Sequence, residues 1–173
     1  MGTWHGPEKI NALMDQLPGD TVLALDEAYG EFAPPGSLPA IDTRRPNVLR
    51  YRTFSKAWGM AGCRIGYAIG HRELITGLNK VRNHFAVNRI AQAGALASLD
   101  DTAFLTDVLS RVALGRQKIA ELAARHGIAS LPSATNFVAV DLGSAAAAQA
   151  LMDHLMANDV FVRKPMVDGL NRF

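Results

Sequence analysis

The amino-acid sequence predicts an α/β protein, and three observations along the chain lead to that class. Two apolar runs without helical spacing, residues 21–25 and 48–54, end abruptly in polar residues, as the strands of a covered sheet do. From residue 71 the apolar positions recur at helical spacing. Residues 136–163 then show the pattern of a strand, a helix and a strand, which predicts a small α/β lobe.

The first part of the chain contains three predicted strands. A weak amphipathic helix over residues 6–17 stops at a Pro-Gly pair, and the strand over residues 21–25 follows it. Because this strand shows no polar alternation, we expect a parallel strand covered on both faces. Strands over residues 48–54 and 65–70 complete the set. Ligands gather at the carboxyl ends of such strands, so we expect Asp26, Lys56 and Arg64 to lie close together.

The second part of the chain is mainly helical. Asp100, Asp101 or Thr102 can cap a long helix that ends at a His-Gly pair. The predicted elements are helices over residues 71–81, 88–99, 102–126 and 144–158, and strands over residues 136–142 and 160–163.

Composition excludes several classes of function. The net charge is +2, from 18 basic and 16 acidic residues that are intermingled, so no basic stripe exists for nucleic acid and no polybasic segment for a membrane. The single cysteine, Cys63, rules out an internal disulfide, and the five histidines show no metal-ligand spacing. No apolar run has the length of a membrane span, and the first residues lack a signal-peptide pattern, so the cytoplasm is the expected compartment.

Residues 53–67, with the sequence TFSKAWGMAGCRIGY, carry the most specific chemistry. Lys56 is followed by small and apolar residues rather than by other charges, so we expect its ammonium to be partly desolvated. Desolvation makes a lysine amine available as a nucleophile toward carbonyl groups. On these residues alone, an alternative stays open, in which Lys56 merely extends from the end of a buried strand and Arg64 begins the next one.

This stretch resembles the lysine segment of pyridoxal-phosphate (PLP) aminotransferases of the aspartate aminotransferase fold, most closely the histidinol-phosphate aminotransferases. The match fixes Ser, Lys, Gly, Arg, Gly and Tyr over fifteen positions. A second matching segment, Asp-Glu-Ala-Tyr, begins at Asp26, thirty positions before Lys56, and the family shares this spacing. The resemblance implies part of PLP-dependent transferase fold type I: a mostly parallel large-domain sheet with helices on both faces, and part of a small α/β C-terminal domain.

The resemblance also implies a role for each candidate residue around PLP. Lys56 would form the Schiff base and move the proton at the substrate α-carbon, and Asp26 would pair with the pyridinium nitrogen. Tyr29 would donate to the ring oxygen, whereas Ser55 and Arg64 would hold the phosphate. From the residues alone, a helix cap or loop carboxylate is an open alternative for Asp26, and a packing role is one for Tyr29.

Further positions match the family less specifically. Arg163 resembles the small-domain arginine that meets the anionic group of the substrate, although a basic residue at the end of an exposed strand is an open alternative. Thr53 also fits the family pattern, but is equally a β-branched strand residue. Arg50 and Arg52 flank a strand, and we expect them to be solvated.

The resemblance covers the whole chain but only the later part of a family member, so we expect an internal or C-terminal fragment. Residues 1–100 are then the later part of the PLP-binding large domain, and residues 101–173 the connecting helix and an incomplete small domain. The expected partners are small-molecule substrates, namely amino acids and 2-oxo acids, and the complete enzyme is expected to be a homodimer.

Three functions remain open at this point. The first is transamination between histidinol phosphate and 2-oxoglutarate or L-glutamate in histidine biosynthesis. The second is an aromatic amino-acid aminotransferase or an amino-acid-phosphate decarboxylase on the same fold. The third is a catalytically incomplete remnant without activity.

Overall fold

The computed structural model describes residues 1–173, which form five helices and five strands joined by turns. In chain order they are α1 (Pro7–Asp15), β1 (Leu23–Asp26), β2 (Val48–Thr53), β3 (Gly66–Gly70), α2 (Arg72–Val81), α3 (Arg89–Asp100), α4 (Thr102–Arg125), β4 (Ala129–Ser130), β5 (Val140–Asp141) and α5 (Ala145–Met156). None of the helices is both long enough and apolar enough to cross a membrane.

The chain forms two compact units. One contains Trp4–Val112 with Ala134–Asn136, and the other contains Met1–Thr3, Ala113–Ser133 and Phe137–Phe173. The division of the family fold into domains at residue 100 remains a prediction.

The first unit contains a three-stranded sheet in the order β1-β2-β3. β1 pairs with β2 in parallel, and β2 pairs with β3 antiparallel. Because β3 runs against the other two strands, its first residue lies at the edge where β1 and β2 end. The residues before β3 therefore meet the residues after β1 and β2.

The prediction that β1 is covered on both faces is wrong. Leu23 and Leu25 are half-buried, but Ala24 is exposed, and so is Val22 just before the strand. β1 is an edge strand, and only one of its faces is covered. An apolar run therefore marked the strand correctly without specifying how many of its faces are packed.

Polar side chains define where four helices begin. The side chain of Asn88 accepts a hydrogen bond from Ala91 N at 2.7 Å at the start of α3, and Asp101 accepts one from Phe104 N at 3.0 Å at the start of α4. His71 and Ser144 cap α2 and α5 in the same way. Each satisfies a backbone N–H that has no acceptor within the helix, which fixes the helix boundary close to its predicted place.

The second unit contains a two-stranded antiparallel sheet of β4 and β5, followed by α5. The strand predicted over residues 160–163 is not formed. Asp159 has the left-handed φ of 60°, and Val160 N donates to Leu155 O at 2.9 Å, which closes the C-terminus of α5. The apolar residues 160–162 therefore follow a helix end and have no strand beside them.

The core of the first unit lies beneath the end of β2. Phe54, Trp58 and Ala95 are buried together, and Leu105 and Tyr67 pack against them. The rings of Phe54 and Tyr67 lie 5.6 Å apart and those of Phe54 and Trp58 6.1 Å apart, both tilted, which is a favourable aromatic arrangement. This cluster joins the sheet to α3 and α4 directly below the segment that carries Lys56.

Replacing Phe54 with alanine tests this core. Phe54 is 4% exposed, so Phe54→Ala leaves a cavity and should lower the free energy of unfolding of this unit by about 3–5 kcal/mol. Phe85 is 94% exposed, and Phe85→Ala, the matched control, should change it by less than about 0.5 kcal/mol. Urea unfolding followed by tryptophan fluorescence measures both, and equal losses in the two variants would contradict the described core.

Candidate active site

The candidate site lies at the edge of the sheet where β1 and β2 end and β3 begins. Asp26 stands in register with Tyr51, and Thr53 stands in register with Gly66. Because side chains alternate along a strand, Asp26, Tyr51 and Thr53 share one face of the sheet. The next carboxylate, Glu27, is buried, whereas Asp26 is exposed.

Asp26 begins a tight turn. Its Oδ1 accepts a hydrogen bond from Ala28 N at 2.8 Å, which is an Asx-turn. Gly30 N donates to Glu27 O at 2.9 Å, and a single 3-10 turn, Gly30–Phe32, follows. The turn brings Tyr29 back over the sheet edge, where it is half-buried.

Lys56 is exposed, so the predicted partial desolvation of its ammonium is wrong. The residues that follow it, Ala57 and Trp58, are buried beneath the turn, and the lysine side chain alone extends outward. Gly59 closes this turn with φ +68°, and its N–H donates to Lys56 O at 3.1 Å. Lys56 Nζ lies 5.3 Å from the centroid of the Tyr29 ring, a cation–π distance.

Ser55 is held in place by Thr53. Thr53 Oγ1 accepts a hydrogen bond from Ser55 N at 3.0 Å, and the two hydroxyl oxygens lie 2.9 Å apart in a second hydrogen bond. The two hydroxyl groups therefore form one local unit at the end of β2. Thr53 had only a weak signal in the sequence, because a threonine in a strand is ordinary.

Arg64 ends a 3-10 turn and has the left-handed backbone angles φ 52° and ψ 50°. A residue other than glycine in this region is uncommon, and such residues concentrate at functional sites. Its Nη1 donates to Ala61 O at 2.7 Å, and the side chain is exposed at the start of β3.

An open pocket of ≈ 410 Å³ lies at this edge. Its lining residues include two arginines, Arg52 and Arg64, and two hydroxyl residues, Thr53 and Ser55. Arginine and hydroxyl residues around one pocket suit an anion, above all a phosphate group.

The prediction that Arg50 and Arg52 are solvated is wrong. Arg50 is 4% exposed, and its Nε donates to Glu27 Oε1 at 2.7 Å. Arg52 Nε donates to Glu27 Oε2 at 3.0 Å. Burial lowers the pKa of the Arg52 guanidinium, but hydrogen bonds with Glu27 and Tyr67 outweigh burial, so that its pKa is raised above the ordinary value. Arg50 and Arg52 are two positions apart on β2, so they share one face of the sheet. This spacing, together with the second acid Glu27 after Asp26, was the sequence signal that could have predicted the ion pairs.

The structure thus brings five of the six predicted residues to one sheet edge. Asp26 and Tyr29 follow β1, Ser55 and Lys56 follow β2, and Arg64 precedes β3. Arg163 is exposed and belongs to the other compact unit. The roles of all six residues remain predictions.

Comparison with known proteins identifies the family. The chain matches the family described as aminotransferase class I and II over residues 1–172. It is 41% identical over 175 aligned residues to histidinol-phosphate aminotransferase 1 of Thiobacillus denitrificans, an alignment that covers 99% of this chain and 45% of that protein. It is 42% identical over 148 residues to an aromatic amino acid aminotransferase of Nocardia farcinica, with 83% of this chain and 41% of that protein covered.

A solved structure gives the same result. The histidinol-phosphate aminotransferase of Sinorhizobium meliloti, crystallised in complex with pyridoxal-5'-phosphate, matches with a TM-score of 0.93 and 48% identity, over 99% of this chain and 48% of that chain. The chain therefore spans under half the length of the relatives that it matches. The predicted PLP-dependent transferase fold type I is confirmed, and the prediction of PLP as cofactor is supported. The chain belongs to the class I and II aminotransferase family.

Proposed function

We propose that this chain carries the cofactor-binding residues of a PLP-dependent aminotransferase that acts on histidinol phosphate, with 2-oxoglutarate and L-glutamate as the other pair, in histidine biosynthesis. The observation that carries the proposal is the sheet edge where the exposed Lys56 amine stands beside Tyr29, next to a pocket that contains Ser55 and Arg64. Two similar proteins with the name histidinol-phosphate aminotransferase support the choice of substrate.

The residues at the sheet edge fit PLP by their chemistry. Arg64 with the hydroxyl residues Thr53 and Ser55 offers a donor set for a phosphate group. The exposed amine of Lys56 is open to an aldehyde, and the exposed Asp26 is open to a protonated ring nitrogen. When bound, PLP acts as an electron sink that makes the substrate α-carbon acidic.

Each residue then has one task. The Lys56 amine would hold the cofactor at its aldehyde carbon and would move the proton at the substrate α-carbon. The Asp26 carboxylate keeps the ring nitrogen protonated, and the Tyr29 hydroxyl donates to the ring oxygen. Ser55 and Arg64 bind the phosphate, and Arg163 binds the anionic group of the substrate. We propose that the complete enzyme is a cytoplasmic homodimer.

Two alternatives use the same residues. The Nocardia farcinica relative supports an aromatic amino-acid aminotransferase, and an amino-acid-phosphate decarboxylase is the other possibility on this fold. In the third hypothesis the chain is a remnant without activity.

Borohydride trapping tests the central residue. Wild-type protein incubated with PLP and reduced with borohydride should carry the cofactor covalently at Lys56, because only an amine bonded to the aldehyde carbon is fixed by reduction. Peptide mapping by mass spectrometry locates the label. Lys56→Ala should lose it, whereas Lys80→Ala, which changes another exposed lysine of the same unit, should keep it. Labelling that is absent from the wild type, or equal in Lys56→Ala, contradicts the cofactor proposal.

The substrate assignment is tested by amino transfer to 2-oxoglutarate. Histidinol phosphate should be preferred over phenylalanine by roughly 100-fold in kcat/KM, because a site that binds a phosphate ester leaves its charged donors unpaired with an aromatic amino acid. The reverse preference would support the aromatic aminotransferase, and release of carbon dioxide the decarboxylase. A chain that is labelled at Lys56 but transfers no amino group would support the remnant hypothesis.

The Thr53–Ser55 unit is tested by Thr53→Val. The valine keeps the shape of the side chain but removes the oxygen that accepts from Ser55 N, so hydrogen exchange of the Ser55 amide should accelerate about tenfold or more. PLP should also bind more weakly, because Ser55 is no longer oriented. Thr53→Ser keeps the hydroxyl and should behave as wild type. An unchanged Ser55 amide in Thr53→Val contradicts this arrangement.

A further inference from the structure

Glu27 forms the most enclosed charged contact at the sheet edge. Both carboxylate oxygens are used: Oε1 accepts from Arg50 Nε at 2.7 Å, and Oε2 accepts from Arg52 Nε at 3.0 Å. The carboxylate is almost completely buried, as is Arg50, whereas Arg52 keeps some contact with solvent. One carboxylate thus joins the end of β1 to two positions on the same face of β2.

This cluster is a poor source of stability. It contains two guanidinium groups and one carboxylate, so one positive charge remains uncompensated within it. Arg50 Nη1 and Nη2 are buried and make no hydrogen bond, although Nη2 lies within ion-pair distance of Glu27. Buried charges that keep unsatisfied donors offset much of their own attraction through lost hydration. The main effect of the cluster is therefore to fix the geometry of the sheet edge, and its contribution to the free energy of unfolding is small.

The backbone of Glu27 is fixed as firmly as its side chain. Its N–H donates to Tyr51 O at 2.9 Å, and its carbonyl accepts from Gly30 N at 2.9 Å. Asp26 precedes it directly, and Tyr29 lies inside the turn that its carbonyl closes. Asp26 is exposed and Tyr29 is half-buried, whereas Glu27 between them is buried.

We propose that Glu27 is a positioning residue. Its ion pairs with Arg50 and Arg52 hold the turn that contains Asp26, Ala28 and Tyr29 in the orientation that the ring of the cofactor requires. Glu27 contacts neither the cofactor nor the substrate and acts through Asp26 and Tyr29. The inference rests on the proposed function in one respect, namely that the ring is that of PLP. That Glu27 orders the turn does not depend on the proposed function.

The first experiment needs no cofactor. Glu27→Gln keeps the shape of the side chain and removes its charge. The amides of Ala28 and Gly30, which close the turn, should exchange with deuterium about tenfold faster or more, relative to the amides of α3 in the same protein. Val48→Ala is the matched control, because Val48 lies on β2 with Arg50 and Arg52 and is as buried as Glu27, but carries no charge. In this control, the exchange rates of the Ala28 and Gly30 amides relative to those of the α3 amides should equal the wild-type ratio.

The second experiment measures binding of PLP and of an analogue with a carbon atom in place of the ring nitrogen. Wild type and Val48→Ala should prefer PLP by about tenfold or more, because only PLP offers Asp26 a protonated nitrogen. In Glu27→Gln the ratio of the affinity for PLP to the affinity for the analogue should fall toward one. If Glu27→Gln does not fold, Arg52→Gln replaces it in both experiments, since it removes one ion pair and keeps the Glu27–Arg50 pair.

The outcomes separate this inference from the proposed function. Wild-type protein that binds neither compound contradicts the proposed function, and the exchange experiment then decides the role of Glu27 alone. Turn amides that exchange at the wild-type ratio in Glu27→Gln and Arg52→Gln would falsify the positioning role. A wild-type preference for PLP that persists in both variants overturns it as well.

Discussion

The contact of one buried carboxylate with two arginines sets the geometry of the sheet edge. β1 has only four residues and β2 has six, so the hydrogen bonds between them do not by themselves fix the conformation of the residues that follow β1. Glu27 extends the pairing past the end of β1, by a backbone hydrogen bond to Tyr51 and by side-chain bonds to Arg50 and Arg52. The position of Asp26 follows, because its pair with Tyr51 is the last of the ladder and directly precedes this anchor.

The two faces of the sheet edge have different environments as a result. The face with Arg50, Arg52 and Phe54 leads into the aromatic core around Trp58, where packing is close and water is excluded. The face with Asp26 and Thr53 opens to solvent, and the pocket that contains Ser55 and Arg64 lies at the same end of the sheet. Rigid packing behind an open polar face is the arrangement that a preorganised binding site needs, since ordering its side chains then costs little at the moment of binding.

Much of this could be predicted from the sequence, where local signals suffice. Helix caps and helical spacing located α2 to α5, and apolar runs located β1 and β2. Asp26 stood out because it directly follows an apolar run, and Lys56 stood out because small and apolar residues follow it. By contrast, the covering of β1, the absence of a strand at residues 160–163 and the exposure of Lys56 depend on which segments pack together. No stretch of sequence contains that information by itself, so a buried arginine such as Arg50 looked like a solvated one.

The direction of β3 shows how one non-local feature assembles the site. Arg64 comes just before β3, and β3 spans five residues. If β3 were parallel to β2, Arg64 would lie at the opposite edge of the sheet, about 17 Å from Ser55 at ~3.3 Å per residue, too far for both to meet one phosphate group. The antiparallel pairing of Thr53 with Gly66 instead places both residues in the lining of the same pocket. The direction of β3 therefore determines whether the hydroxyl and the guanidinium form one site, and Arg64, with its left-handed φ of 52°, lies where the chain enters that strand.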